Sequence, residues 1–198
     1  VTVAQIGARM HYAVPRILES AGLLHRFYTD IHADSGVLGH LRQIVPKSLT
    51  PSSVRSLFDR RPEGIPNGKI TSFPTFGLHA ALRERLNSSL GEKTKEYLRK
   101  DRRFCELVTK NLDSEIDALY AFKGAALEIL EWCNERDVFT VLEQPNVHRS
   151  VMHKLLSEER DNYPNWSQSA REDPHASEEA QRQRKEWSQA DLIVCPSN

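Results

Sequence analysis

The stretch Val1–Ile31, with the sequence VTVAQIGARMHYAVPRILESAGLLHRFYTDI, decides the fold. Its apolar run Val1–Ile6 predicts a buried strand, and a second run, Leu24–Ile31, predicts another. Between them, Pro15 is placed to open a helix and Gly22 to end it. A strand, a helix and a strand within about 30 residues form the minimal unit of a parallel sheet.

The alternation of strands and helices continues along the whole chain. Further strands are predicted at Lys69–Pro74, Ala118–Phe122, Phe139–Glu143 and Leu192–Cys195, and helices at Leu78–Leu90, Glu92–Leu112, Ala125–Glu135, Val147–Tyr163 and Ser177–Ala190. The strands are continuous apolar runs, which is typical of a parallel sheet covered on both faces. The sequence therefore predicts an α/β fold, a Rossmann-like parallel sheet with helices on both faces.

The length of 198 residues suits one large domain or two small ones. The segment 34–67 is less regular, because four prolines interrupt it and leave room only for short helices around Leu38–Ile44 and Ser52–Phe58. We expect a single domain over residues 1–198 with an irregular insertion at about 34–67. The chain starts and stops directly at strand-like runs, so we also expect it to be part of a longer protein.

The charge balance narrows the classes of partner. Lys and Arg together number 27, as do Asp and Glu, so the formal net charge is zero. A dedicated nucleic-acid-binding protein normally has a basic excess, so no nucleic-acid partner is predicted.

The three cysteines, Cys105, Cys133 and Cys195, match neither a disulfide framework nor a zinc pattern. We expect buried free thiols at Cys133 and Cys195, and a reducing, cytoplasmic location.

Several catalytic motifs are absent from the sequence. Gly7 is followed by Ala8, Arg9 and Met10, so the G-x-G-x-x-G fingerprint of dinucleotide binding is missing. The chain also lacks a P-loop, a G-x-S-x-G elbow and an H-E-x-x-H motif. His148 and His153 are five residues apart and would lie on different faces of a helix. No bound metal or cofactor is predicted.

Ligands of open α/β sheets bind beyond the carboxyl ends of the strands. The residues at those ends are Gly7, Arg9, His11 and Tyr12 after the first strand, Asp30 and His32 after the second, Phe122, Lys123 and Gly124 after the fourth, Glu143, Gln144, His148 and Arg149 after the fifth, and Ser197 and Asn198 after the last.

The first of these groups combines polar, cationic and aromatic side chains next to the start of a helix. Arg9, His11 and Tyr12, together with the positive end of the helix dipole, suit a phosphate or a polyhydroxylated ligand. The alternative is that Arg9 is a solvated loop residue and that His11 packs locally.

The group after the fifth strand contains a carboxylate and an imidazole. Glu143 ends an otherwise apolar strand, Gln144 can bond sugar hydroxyls, and His148 at a helix start is favoured as a neutral base. Lys123 and Arg149 add positive charge that would suit a phosphate. The alternatives are an ion pair of Glu143 with Arg9 or Lys123, a capping or surface role for His148, and a solvated turn at Lys123.

The predicted helix 92–112 carries a basic run. Its cations are Lys93, Lys95, Arg99, Lys100, Arg102 and Arg103. Weak peripheral contact with an anionic membrane surface is one interpretation. Interleaved acidic residues favour the other, a solvated helix face.

Several segments resemble the N-terminal domain of retaining glycosyltransferases of the GT-B fold, family four. The first is Val1–Arg16 together with Leu23–Asp30, and the ending EWSQADLIVCPSN resembles the ADxIxxPS strand that closes that domain. Segments 121–128 and 141–145 resemble the ends of its fourth and fifth strands. The chain departs from the family in lacking the usual double glycine after the first strand and a histidine at these two strand ends.

This resemblance implies one half of a two-domain enzyme that moves a sugar from a nucleotide-sugar donor to a sugar, lipid or small-molecule acceptor, without a bound metal. The donor-binding C-terminal domain lies outside this chain, so the isolated chain is expected to be inactive. Gly7 would approach the donor phosphates, with Arg9, His11 and Tyr12 beside it. Glu143 would stabilise the oxocarbenium-like sugar, and His148 is the substitute for the family histidine.

Two other functions fit the same architecture. One is a non-catalytic, flavodoxin-like ligand-binding module. The other is an NDP-sugar epimerase of the same fold, which differs in reaction and not in architecture.

Overall fold

The structure is a computed structural model that describes residues 1–33, 60–86, 89–165 and 173–196, without the side chains of residues 84–86. The short helices predicted at Leu38–Ile44 and Ser52–Phe58 lie outside the described residues. Ser197 and Asn198 also lie outside them.

A parallel sheet forms the centre of the described chain. Its strands are β1 (Thr2–Gln5), β2 (Arg26–Thr29), β3 (Ile70–Ser72), β4 (Ala118–Phe122), β5 (Phe139–Glu143) and β6 (Leu192–Val194). The strands lie in the order β3-β2-β1-β4-β5-β6, and every pair is parallel. The prediction of a Rossmann-like α/β fold is therefore confirmed.

Helices connect the strands. They are α1 (Ala13–Ser20), α2 (Pro74–Leu86), α3 (Leu90–Thr109), α4 (Leu127–Asn134), α5 (Arg149–Asn162) and α6 (Ala176–Gln189). The sequence predicts a break between the second and third helices at Gly91, with the third beginning at Glu92; in the structure α3 already begins at Leu90, behind the cap Ser89, which forms a capping box with Glu92. A Cβ at Gly91 would lie 2.9 Å from Pro174, so this glycine permits close packing inside the helix.

The core lies on both faces of the sheet. On one face Leu119 and Leu142 pack with Phe104 of α3 and Ile129 of α4. On the other face Val3, Phe27 and Phe122 pack with Tyr12 and Leu24, and Val14 and Leu18 of α1 lie against them. All four residues of β1 are buried, as expected for the central strand of a doubly covered sheet.

The cysteines differ in their burial. Cys105 and Cys133 are buried, but Cys195 is exposed. The expectation of a buried thiol at Cys195 is therefore wrong. Its physical reason is that Cys195 follows the edge strand β6, whose three residues are all exposed.

No helix within the described ranges is both long enough and apolar enough to cross a membrane. In the basic run of α3, three arginines have carboxylate partners. Arg99 pairs with Glu96, Arg102 with Glu178 of α6 at 2.7 Å, and Arg103 with Glu106 at 2.7 Å. These pairs neutralise much of the positive charge that a membrane surface would attract.

One side-chain contact fixes the junction between α6 and the edge of the sheet. Asp191 accepts hydrogen bonds from both the backbone N–H and the hydroxyl of Thr140, each at 2.8 Å, and its own N–H donates to that hydroxyl at 3.0 Å. Thr140 is fully buried. The carboxylate of Asp191 therefore satisfies donors that water cannot reach.

We expect Asp191→Ala to lower the free energy of unfolding by about 1–2 kcal/mol, because it leaves the buried N–H of Thr140 without its acceptor, whereas the hydroxyl can still donate to the carbonyl of Gln189 at 3.3 Å. Urea denaturation measures the change. The matched control is Glu135→Ala, which removes an exposed carboxylate paired with Arg136 and should change stability by less than about 0.5 kcal/mol. Equal effects of the two variants would contradict this role of Asp191.

Candidate functional site

A cavity of about 440 Å³ lies at the carboxyl ends of β1 and β4. These two strands are the neighbours at which the strand order reverses, and such a switch point is where open α/β sheets bind ligands. Helices α3 and α6 close the cavity from the side. The loops after β1 and β4 form its rim.

The cavity carries more positive than negative side chains. Among the described residues that line it, the cations are Arg9, Arg60, Lys100, Lys123 and Arg182, and the carboxylates are Asp30, Asp101 and Glu179. Two of the cations are firmly paired: Arg60 lies 3.0 Å from Asp30, and Arg182 binds both carboxylate oxygens of Glu128 at 2.7 and 2.6 Å.

The loop after β1 is held by the two strands beside it. The N–H of Gly7, which has a φ of +73°, donates to Asp30 Oδ1 at 2.9 Å. The buried amide of Gln5 donates to the carbonyls of Gly7 at 2.9 Å and of Arg9 at 3.4 Å. Gly7 and Arg9 line the cavity, and the Arg9 guanidinium lies 5.6 Å from the centre of the Phe122 ring.

His11 and Tyr12 do not line this cavity. Met10, His11 and Tyr12 form a left-handed turn with φ values of 48°, 50° and 59°. The turn directs Tyr12 into the core, where its ring packs edge-to-face on Phe27 at 5.5 Å, and leaves His11 exposed. Burial raises the pKa of the Tyr12 hydroxyl above its ordinary value.

Two residues of α6 hold the loop after β4. Glu186 is fully buried and accepts the N–H of Gly124 at 2.8 Å and of Ala126 at 3.3 Å. Arg182 donates from Nε to the carbonyl of Gly124 at 2.8 Å. Lys123 projects into the cavity, 3.9 Å from Glu179, and desolvation lowers its pKa.

Two carboxyl groups at this loop titrate near neutral pH. Burial raises the pKa of Asp101, which lines the cavity from α3, to about 6. Burial also raises the pKa of Glu186 to about 7, and the nearby negative charge of Asp101 adds to that rise. A Cβ at Gly124 would lie only 2.8 Å from Asp101 Oδ2, and the φ of this glycine is +93°.

The predicted residues after β5 lie outside the cavity. Glu143 accepts the hydroxyl of Tyr120 at 2.7 Å, in place of the ion pair considered with Arg9 or Lys123. Gln144 is buried, donates to the carbonyl of Asn146 and accepts from Trp187 Nε1 at 3.1 Å.

His148 and Arg149 serve the packing of α5 against α6. The Nδ1 atom of His148 accepts the N–H of Ser150 at 3.2 Å, and its Nε2 lies 3.1 Å from the carbonyl of Ala180. Its ring lies 4.8 Å from that of Trp187. Arg149 pairs with Asp173 at 2.9 Å and with Glu179 at 3.3 Å. The structure therefore brings Gly7, Arg9 and Lys123 together, and places the residues after β5 elsewhere.

Sequence reasoning missed the cavity residues on helices. Asp101 lies in a run of alternating charges that predicts a solvated face, and Arg182 and Glu186 lie in a predominantly polar helix. A signal was present for Asp101, because it shares a helix face with Leu98, Cys105 and Val108, all of which are buried. Within the described part of the chain, no group of three or more His, Cys, Asp or Glu is arranged to hold a metal ion.

Comparisons with protein-family models, with curated proteins and with solved structures find no match for this chain.

We expect Gly124→Ala to destabilise the protein by about 3 kcal/mol, from the positive φ and from the contact of the new Cβ with Asp101. Gly22→Ala is the matched control, because Gly22 has a φ of +70° and nothing within 4 Å of a Cβ. It should cost only about 1–2 kcal/mol. In urea denaturation, Asp101→Ala should recover part of the cost of Gly124→Ala. Strict additivity of these two changes would contradict the contact.

The raised pKa values of Asp101 and Glu186 predict a loss of stability as the pH rises. Each carboxyl binds its proton more tightly in the folded chain, so this stabilisation is full below about pH 4 and is lost as the pH rises through about 6 and about 7. We expect the free energy of unfolding to fall by about 2 kcal/mol or more between pH 5 and pH 8.

The double variant Asp101→Asn with Glu186→Gln should flatten this dependence. Glu96→Gln is the control. The hydrogen bond from Arg99 lowers the pKa of Glu96, so the contribution of Glu96 to the pH dependence of stability falls at more acidic pH. A wild-type stability that rises between pH 5 and pH 8 would show that the two buried carboxyls do not control the profile.

Proposed function

We propose that this chain is the acceptor-side domain of a retaining glycosyltransferase of the GT-B type that uses a nucleotide-sugar donor and no bound metal. The observation that supports the proposal most is the cationic cavity at the switch point between β1 and β4. The sequence resemblance of the first 30 residues and of the closing segment adds independent support. On this proposal the donor-binding domain belongs to a part of the protein outside this chain.

The charges of the cavity suit a reaction in which a phosphate leaves. A departing nucleoside diphosphate gains negative charge in the transition state, so cations fixed nearby in a poorly hydrated site lower the barrier. Arg9 and Lys123 line the rim between the loops after β1 and β4. Arg9 rests on the ring of Phe122, which favours a guanidinium directed along the cavity wall.

The cavity also suits an acceptor of sugar size. Its volume of about 440 Å³ lies within the range of small-molecule sites. Closure of a second domain over the rim would exclude water, which otherwise hydrolyses the donor. Glu143, bonded to Tyr120 outside the cavity, has no part in this proposal. Of the described carboxylates that line the cavity, Asp30 is paired with Arg60 and Glu179 with Arg149, and Asp101 has no ion pair with a described residue.

The test is transfer by the full-length protein. UDP-, GDP- and ADP-sugars are each incubated with a set of acceptors, the product is detected by mass, and its anomeric configuration is assigned by NMR. We expect a glycoside with the configuration of the donor. Arg9→Ala and Lys123→Ala should each lower kcat/KM by about tenfold or more, whereas Arg136→Ala, whose guanidinium lies over Trp132, should leave it unchanged.

The other outcomes separate the alternatives. Interconversion of nucleotide-sugar epimers without transfer would support the epimerase. Tight binding of a sugar without turnover would support a binding module. Sugar transfer by the 198-residue chain alone would contradict the proposed division into two domains.

A further inference from the structure

Asp101 is the carboxylate whose surroundings the proposed function leaves unexplained. It projects from the middle of α3 into the cavity, against the Cα of Gly124. No described residue donates a hydrogen bond to it, although desolvating a carboxylate without a donor is costly. The cavity therefore offers a strong acceptor that a bound molecule can satisfy.

Several charged groups from α3, α6 and the two loops lie near Asp101. Lys100 lies beside it on α3, and Arg182, Glu179 and Glu186 face it from α6. Arg9 from the loop after β1 and Lys123 from the loop after β4 complete the set. Because most of these neighbours are cations, a ligand ammonium at Asp101 would be repelled. A neutral hydroxyl is the donor that this position favours.

Among the described residues, no carboxylate forms an ion pair with two of the cations near Asp101. Arg9 lies over Phe122, and Lys100 lies over Tyr97 with its Nζ 4.7 Å from the ring centre. Neither forms an ion pair within 4.0 Å with another described residue. A phosphate monoester carries a charge of nearly −2 at neutral pH, which matches two uncompensated cations.

We propose that the cavity binds a sugar monophosphate as the acceptor, with Lys100 and one edge of the Arg9 guanidinium on its phosphate and Asp101 accepting a hydrogen bond from one of its hydroxyl groups. The other edge of Arg9 then remains for the donor phosphates at the rim. This inference rests on the proposed function, of which it names the acceptor class. Asp101 is then the residue that selects for a hydroxyl-bearing ligand over a bare anion. Gly124 keeps the approach to its carboxylate open, since a side chain there would contact Oδ2.

The test measures binding by isothermal titration calorimetry to the 198-residue chain. The probes are glucose 6-phosphate, fructose 6-phosphate, ribose 5-phosphate and glycerol 3-phosphate, each compared with its unphosphorylated parent and with inorganic phosphate. We expect at least one sugar phosphate to bind about tenfold or more tightly than its parent and than inorganic phosphate. Equal binding of phosphate alone, or of the neutral parent, would overturn the proposal, as would the absence of binding by every probe.

Variants separate the two halves of the ligand. Asp101→Ala should weaken binding of the sugar phosphate by roughly tenfold and leave the affinity for inorganic phosphate unchanged. Lys100→Ala should weaken binding of both the sugar phosphate and inorganic phosphate. Lys93→Ala, on an exposed part of the same helix, should change neither affinity. If Asp101→Ala and Lys100→Ala weaken the two probes alike, Asp101 does not recognise a hydroxyl.

A pH profile distinguishes this role from a structural one. The pKa of Asp101 is raised to about 6, so the ratio of sugar-phosphate to inorganic-phosphate affinity should rise between pH 5 and pH 7 as the carboxylate ionises. Asp101→Asn corrects for titration of the probes themselves and should make the ratio independent of pH. A ratio with the same pH dependence in both proteins would count against the hydrogen bond.

The outcomes also separate this inference from the proposed function. If transfer occurs to neutral acceptors and no sugar phosphate binds, the glycosyltransferase stands and the acceptor class is wrong. If sugar phosphates bind through Asp101 and no donor supports transfer, the site stands and the reaction is wrong. If UDP, GDP or ADP displaces the bound sugar phosphate, and if its binding is tighter and insensitive to Asp101→Ala, the cavity belongs to the donor and the inference is overturned.

Discussion

The cavity depends on two hydrogen bonds by which α6 holds the backbone of one residue, Gly124. Arg182 and Glu186 are one helical turn apart, and they bind the carbonyl and the N–H of Gly124 at 2.8 Å each. Burying this carboxylate is costly, as its raised pKa indicates, and the two backbone N–H groups and the nearby guanidinium offset only part of that cost. These hydrogen bonds hold the loop so that Lys123 lies at the rim and the Cα of Gly124 lies against Asp101.

One consequence concerns how an anion can be recognised. Proteins of this architecture often bind phosphate through backbone N–H groups at the start of a helix. Here Glu186 occupies the N–H groups of Gly124 and Ala126, and Asp30 occupies that of Gly7. On the proposed function, side chains would therefore recognise the anion. Long cationic side chains hold a phosphate less rigidly than a backbone cradle, which suits a site completed by a second domain.

The fold was accessible from the sequence because its signals are local. Apolar runs of strand length and the helix-terminating Gly22 need no knowledge of distant residues. Part of the site was accessible for the same reason, since Gly7, Arg9 and Lys123 directly follow predicted strands. The strand order could not be predicted from the sequence. It determines that the loops after β1 and β4 border the cavity and that the residues after β5 pack against α6. Asp101 and Arg182 make their contacts with residues distant in the sequence, and the alternation of charges along their helices does not predict those contacts.

Backbone strain in the loop after β1 completes the site. Met10, His11 and Tyr12 adopt left-handed angles that cost about 1–2 kcal/mol per residue. Burial of the Tyr12 ring against Phe27 offsets this cost, as do the hydrogen bonds from the Gln5 amide to the carbonyls of the loop. The strained turn directly follows Arg9, and the buried Tyr12 ring anchors it in the core. The exposed guanidinium of Arg9, next to this anchored turn, lies 5.6 Å from the centre of the Phe122 ring at the cavity. On the proposed function, the strained turn helps to place a cation where the donor phosphate departs.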